Sequence, residues 1–192
     1  VSVNLAGGTG SGGTANGDVI AGVENITASA HADTLVGDGL ANLINAGAGN
    51  DNLDGAAGND TLYGGTGEDW IHGGTGADEL NGIDAATNGG SYGDVVDYYS
   101  SVAGVTVDLT ANTATGGDAT GDTIANFTGV RGADNYSNVL TGTTANNILW
   151  GGNLADTLSG GAGNDTFYAG LGNDSIDGGA GGDYIDGSTG ID

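Results

Sequence analysis

Cysteine, proline and lysine are absent from this chain, and Arg131 is its only strong base. Without cysteine there is no disulfide framework and no thiolate metal site, a usage that fits an extracellular bacterial protein. Without proline, the 43 glycines read as residues of tight turns rather than as a Pro-rich linker. Without lysine there is no Walker-type phosphate loop, however many glycines are present. Nucleic acid is an improbable partner for a surface with no basic patch. No apolar run approaches the ~18 residues of a membrane span and no signal segment opens the sequence, so a soluble chain is expected. Against one basic residue stand 25 acidic ones, a formal net charge of −24 across 192 residues. Such a charge opposes compaction, and nothing in the chain can neutralise it, so the counter-charge has to come from outside.

What the chain does have is a period of nine. Ile26, Leu35, Ile44, Leu53, Leu62, Ile71 and Leu80, then Leu140, Leu149, Leu158, Phe167, Ile176 and Ile185, follow one another at nine-residue steps within each run. Asp or Asn stands two places before almost every one. The step is too long for a helix face and too regular for a globular core. It marks a solenoid, whose units bury their apolar residue only by stacking on neighbours.

Two modules lie in tandem. Val1-Ser2-Val3-Asn4-Leu5 returns as Val105-Thr106-Val107-Asp108-Leu109, and Gly17-Asp18-Val19-Ile20 as Gly121-Asp122-Thr123-Ile124, both at an offset of 104. The first module is read as residues 1–104, with lead strands at about 1–27 and a nonapeptide array at about 28–97. The second is read as residues 105–192, with lead strands at about 105–132 and an array at about 133–192 that stops in mid-repeat, as in an excerpt from a longer protein. In the first array a seven-residue interruption, Gly82 to Asn88, precedes a resumption of register at Gly89.

Within a nonapeptide, six Gly-rich residues turn and three form a short strand. Alternation along the strand sends position eight inward and positions seven and nine to solvent. Each repeat then makes half a coil, and residues eighteen apart stack at about 4.8 Å. Asp33, Asp51, Asp69 and Asp94 fall in one column and Asp60 and Asp78 in another. In the second module Asp156, Asp174 and Asp192 form one column, Asp165 and Asp183 the other. Two bare carboxylates roughly 5 Å apart repel by about 3 kcal/mol at an effective dielectric of 20. A calcium ion, with oxygen ligands at about 2.3 to 2.6 Å, matches that gap in size and charge. Mg²⁺ demands shorter bonds and Zn²⁺ prefers His and Cys.

The units Ala46-Gly47-Ala48-Gly49-Asn50-Asp51-Asn52-Leu53-Asp54, Gly64-Gly65-Thr66-Gly67-Glu68-Asp69-Trp70-Ile71-His72 and their neighbours resemble the RTX, or haemolysin-type, calcium-binding repeat. The resemblance implies an all-β, right-handed parallel β-roll holding several Ca²⁺ ions. It also implies ligation by the Asp at position six and the carbonyls at positions two and four. On this chain those carbonyls belong to Gly47, Gly49, Ala56, Gly58, Gly65, Gly67, Gly74 and Gly76. In the second array they belong to Gly152, Leu154, Gly161, Gly163, Gly170, Gly172, Gly179 and Gly181. Asn42, Asn138 and Asn147 stand where Asp is expected, and His31 and Leu154 where Gly is. The early units of each array are therefore expected to act as structural coils more than as strong sites.

The resulting expectation is a structural, calcium-binding segment of a secreted or cell-surface bacterial protein such as an adhesin, surface layer or exoprotein, folding on Ca²⁺ after export. Its partners would be calcium, neighbouring repeats of the parent chain and other copies of itself. It is not expected to be an enzyme: neither His31 nor His72 has a nucleophile at a plausible sequence position. Two alternatives remain: an accessory domain of a secreted protease, lipase or epimerase, and a glycan- or surface-recognition module using outward aromatics such as Trp70 and Trp150.

Overall fold

A computed structural model describes residues 1–83 and 93–192; the expected resumption of register at Gly89 lies outside the described residues. The chain winds as a parallel β-solenoid of about 8 turns, with almost no helix. Short strands alternate between two sheets. One runs in the order Thr9–Ser11, Ser2–Asn4, Thr34–Val36, Asn52–Asp54, Trp70–His72, Val95–Asp97, Gly129–Arg131, Ile148–Gly152, Thr166–Gly170, Tyr184–Asp186. The other runs Ser175–Asp177, Thr157–Ser159, Val139–Thr141, Thr106–Asp108, Thr113–Thr115, Thr123–Ala125, Glu79–Ile83, Thr61–Thr66, Leu43–Ala48, Asn25–Thr27.

The register is that of the nine-residue period. Leu35 pairs with Leu53 and Leu53 with Ile71 in one sheet, and Ile44 with Leu62 and Leu62 with Leu80 in the other. Beyond the central region the ladders resume as Leu149 with Phe167 and Leu140 with Leu158. These side chains are at most 1 % exposed and belong to a single core running the length of the stack. Each fully buried Leu, Ile or Phe is worth roughly 1.5–3 kcal/mol of transfer free energy, available only once a neighbouring coil covers it.

Both sheets run through the region between the arrays. Val95–Asp97 pairs in parallel with Gly129–Arg131, and Glu79–Ile83 with Thr123–Ala125. The two lead strands, Ser2–Asn4 and Thr106–Asp108, each pair antiparallel with the next strand and parallel with an array strand, but they lie in opposite sheets. An offset of 104 is not a whole number of eighteen-residue coils, so the second copy arrives at a different rotational phase.

Candidate metal centre

Position six of each repeat ends its turn and enters the strand, which carries its side chain inside the coil. Asp51, Asp60, Asp69, Asp78, Asp94, Asp156 and Asp165 are at most 2 % exposed, and Asp33 and Asp174 are also buried. Their columns are the expected ones. The Asp33 N–H donates to Asp51 Oδ1 at 2.8 Å, Asp51 N–H to Asp69 Oδ1 at 2.9 Å and Asp69 N–H to Asp94 Oδ1 at 2.9 Å. On the other edge the Asp60 N–H donates to Asp78 Oδ1 at 2.9 Å. In the second array Asp156 donates to Asp174 at 2.8 Å, Asp174 to Asp192 at 3.0 Å and Asp165 to Asp183 at 3.0 Å. Asp183 is half-buried and Asp192 exposed, both in the last coil.

This thread of backbone donors was not legible in the sequence, and it alters the electrostatic picture. Stacked carboxylates do not simply face one another, because each gives one oxygen to an amide of the coil before it, and such charge-assisted bonds are favourable. The second oxygen is different. Oδ2 of Asp51, Asp60, Asp78, Asp156, Asp165 and Asp174 is buried and accepts no hydrogen bond. Burial accordingly pushes the Asp51, Asp78 and Asp165 carboxyls up, and raises Asp60 and Asp156 from 3.8 to about 6 despite their bonds from Asn42 and Asn138.

Oδ2 points into its own turn. A Cβ on Gly55 would lie 2.5 Å from Asp60 Oδ2, one on Gly73 2.4 Å from Asp78 Oδ2, and one on Gly160 2.2 Å from Asp165 Oδ2. None of these three glycines has positive φ, so space rather than backbone conformation requires Gly there. At positions two and four the carbonyls of one coil press on the next: a Cβ on Gly67 would lie 1.9 Å from Gly49 O, and one on Gly76 1.6 Å from Gly58 O. Gly47, Gly49, Gly58, Gly65, Gly67, Gly74, Gly76, Gly152, Gly161, Gly163, Gly170, Gly172, Gly179 and Gly181 all have positive φ, and Ala56 joins them at 72°. Leu154 and His31, at the position where most other turns carry Gly, do not have positive φ.

Among the described residues no three His, Cys, Asp or Glu side chains gather into a metal cage. One carboxylate per turn, ringed by backbone oxygens, is a hard-oxygen donor set with excess negative charge, which suits Ca²⁺ and not a softer ion.

The early turns satisfy themselves. Asp33 Oδ2 accepts the N–H and hydroxyl of Ser29, both at 2.9 Å. Asn42 Oδ1 accepts Asp38 N–H at 2.8 Å, and Asn147 Oδ1 accepts Thr143 N–H at 2.7 Å. The available signal was Ser29, Asp38 and Thr143 at position two, where the turns of Asp51, Asp60, Asp69, Asp78, Asp156, Asp165 and Asp174 carry Gly or Ala.

Two further contacts carry no signal in the sequence. Asp122 extends the Asp60–Asp78 column, accepting the Asp78 N–H at 2.9 Å, while its other oxygen accepts the buried Tyr98 hydroxyl at 3.0 Å. His72 does meet a hydroxyl: Nε2 lies 3.1 Å from Ser100 Oγ, and Nδ1 lies 2.7 Å from the Asp97 carbonyl. The carbonyl can only accept, so Nδ1 carries a proton, and in the neutral ring Nε2 accepts from the serine. Outside, Trp70 and Trp150 meet at 5.3 Å, Trp150 and Tyr168 at 6.0 Å and Tyr168 and Tyr184 at 6.2 Å, with Arg131 over Trp70 and Tyr99.

A profile of four copies of the RTX calcium-binding nonapeptide repeat matches residues 27–62, 55–82, 132–167, 150–185 and 159–192, together more than half of the chain. No curated protein matches it at a significant level.

Proposed function

Since the chain belongs to the RTX calcium-binding nonapeptide repeat family, we propose that its turns take up Ca²⁺ through Asp51, Asp60, Asp69, Asp78, Asp94, Asp156, Asp165 and Asp174 with the flanking carbonyls, and that this uptake folds a segment of a secreted protein after export. The observation that carries the reading is the set of buried carboxylate oxygens of Asp51, Asp60, Asp78, Asp156, Asp165 and Asp174, left without a hydrogen bond inside oxygen-lined turns. An unsatisfied buried polar atom costs roughly 1–3 kcal/mol, more if charged, and a divalent cation removes that cost in each of these turns.

The ion supplies counter-charge and bridges coils; the chain supplies shape. Because the turn exists only when two coils are stacked, binding free energy becomes folding free energy. In a low-calcium cytosol the acidic chain stays extended, a form suited to a secretion channel, and it condenses outside the cell. Titrating the chelated chain with calcium should convert coil to sheet in far-UV dichroism, with calorimetry giving the ion number. A fully folded spectrum in excess chelator, with no heat on adding calcium, refutes the proposal. Whether the parent is an adhesin, a surface layer or an enzyme with this segment as accessory domain is decided by the activity of the longer protein.

One observation favours a second reading. Beside the aromatic row lies a groove of about 330 Å³ lined by Tyr99, Arg131, Asp134, Trp150, Asn153 and Tyr168. Flat rings next to amide and carboxylate groups suit an uncharged glycan, since the chain's charge repels anions. A glycan screen on the calcium-loaded chain tests it, with loss of signal in W150A as the supporting result and no binding as the refuting one.

A further inference from the structure

We infer that in the first turn of the second array and on the Asp122 level before it the protein places its own donors where the ion would sit: the Asn138 carboxamide fills the turn 133–138 and the Tyr98 hydroxyl caps Asp122, so that neither level takes calcium. This inference rests on the calcium reading of the remaining turns.

Asn138 is 1 % exposed. Its Nδ2 lies 3.0 Å from the Ala133 carbonyl, 2.8 Å from that of Tyr136, 3.1 Å from that of Gly151 and 3.0 Å from Asp156 Oδ1. An amide nitrogen has two protons, so four oxygens converge on a group that can donate to only two of them at full strength. Convergence of carbonyls and a carboxylate on one point is the environment of a hard cation. Oδ1 accepts from Val105 N–H at 3.1 Å and Ala133 N–H at 3.0 Å, which fixes which end of the amide is nitrogen.

The neighbouring turn shows what the nitrogen replaces. A Cβ on Gly132 would lie 2.8 Å from Asn138 Nδ2, and a Cβ on Gly151 would lie 2.5 Å from Asp156 Oδ2. The amide nitrogen and the unsatisfied oxygen thus occupy equivalent places in successive turns. Asn and Asp have the same shape, so exchanging them swaps a donor for an acceptor among the same oxygens. At Asp122 the substitute is a hydroxyl: Tyr98, fully buried, donates at 3.0 Å to the carboxylate oxygen that its column neighbours leave bare.

The test uses the whole chain. Calorimetric titration with CaCl₂ should find one more ion in Asn138→Asp than in the parent, and crystals soaked in Tb³⁺ should show anomalous peaks at Asp156 and Asp165 but none in the turn 133–138 or at Asp122. An equal ion number in a folded variant, or a peak at either of those places, overturns the inference. If Asn138→Asp does not fold, the wild-type map decides. If no turn holds metal, the calcium reading itself has failed. Amide exchange in chelator then decides: Val105 and Ala133 exchanging at least about tenfold more slowly than Asp165 and Asp174 supports self-sufficient levels, and equal rates overturn them.

Discussion

Replacing Asp60 by Asn should stabilise the chain in chelator and leave its stability nearly unchanged in calcium. Asp60 is 1 % exposed, its Oδ1 accepts the Asn42 N–H at 2.7 Å, and its Oδ2 has no partner. Burial raises its carboxyl from 3.8 to about 6. At pH 7.5 the metal-free fold therefore holds an ionised group disfavoured by up to roughly 3 kcal/mol, at 1.36 kcal/mol per pH unit. Asparagine keeps the Oδ1 acceptor and removes the charge, so in chelator D60N should be more stable than the parent by up to that amount. In calcium the substitution also removes an ion ligand. Loss of one ion at a hundred times its Kd forfeits about 2.7 kcal/mol, which cancels the gain. The assay is a pair of urea titrations followed by dichroism, one in EGTA with trimethylamine oxide to populate the folded state and one in calcium. The difference between the two substitution effects is the measured quantity. If D60N shifts both midpoints by the same amount, Asp60 does not hold calcium.

The metal-free chain should fold better in acid. Burial raises the folded-state values of Asp60, Asp122 and Asp156 to about 6, so stability is fully present below 3.8 and is lost as pH rises through about 6. Sheet dichroism in EGTA should grow between pH 6.5 and 4 and apparent calcium affinity should fall over the same interval; a flat profile counts against both. Gly76→Ala should cost several kcal/mol, because its φ of +156° and a Cβ 1.6 Å from Gly58 O leave no room, whereas Gly39→Ala, with nothing within 4 Å, should be silent in thermal melts. Arg131→Lys keeps the charge but loses the fork that places Nε 2.8 Å and an Nη 2.6 Å from Asp97, as well as stacking on Trp70 and Tyr99; a loss of about 1 kcal/mol in calcium is expected. Tyr98→Phe should cost roughly 1–3 kcal/mol by stranding Asp122 Oδ2, read as a lower urea midpoint.

The ladders Leu35–Leu53–Ile71 and Ile44–Leu62–Leu80 were legible because stacking repeats a local pattern without variation. The same regularity placed Asp51 on Asp69 and Asp60 on Asp78. Legibility ended where the period did. Asp122 reaches Asp78 across 44 residues, past an interruption and past the antiparallel pair Thr106–Asp108 and Thr113–Thr115; no fixed spacing announces it. The use of one carboxylate oxygen as a backbone acceptor was also hidden, since periodicity puts side chains in a column without saying which atoms meet. The meeting of His72 with Ser100 depends on an aperiodic turn after Asp97 and carries no sequence signature.

Asn138 and Asp156 together show how one backbone can be held in two ways. Both side chains end an equivalent turn, and both offer Oδ1 to a backbone amide. They differ in one atom, a nitrogen that supplies its own protons to the surrounding oxygens and an oxygen that cannot. A chain built only of Asn-type levels would fold in any medium and carry no switch. One built only of Asp-type levels would have to stack its first coils against repulsion at every step before any ion could be held. Since a turn binds metal only once two coils are in register, a level that closes without metal presents the next Asp turn with a finished neighbour. The position of Asn138 just before Asp156, Asp165 and Asp174 makes the second array load outward from it. Hydrogen exchange at sub-saturating calcium should therefore show the Asp156 amide protected before that of Asp174, and the reverse order would contradict this direction of assembly.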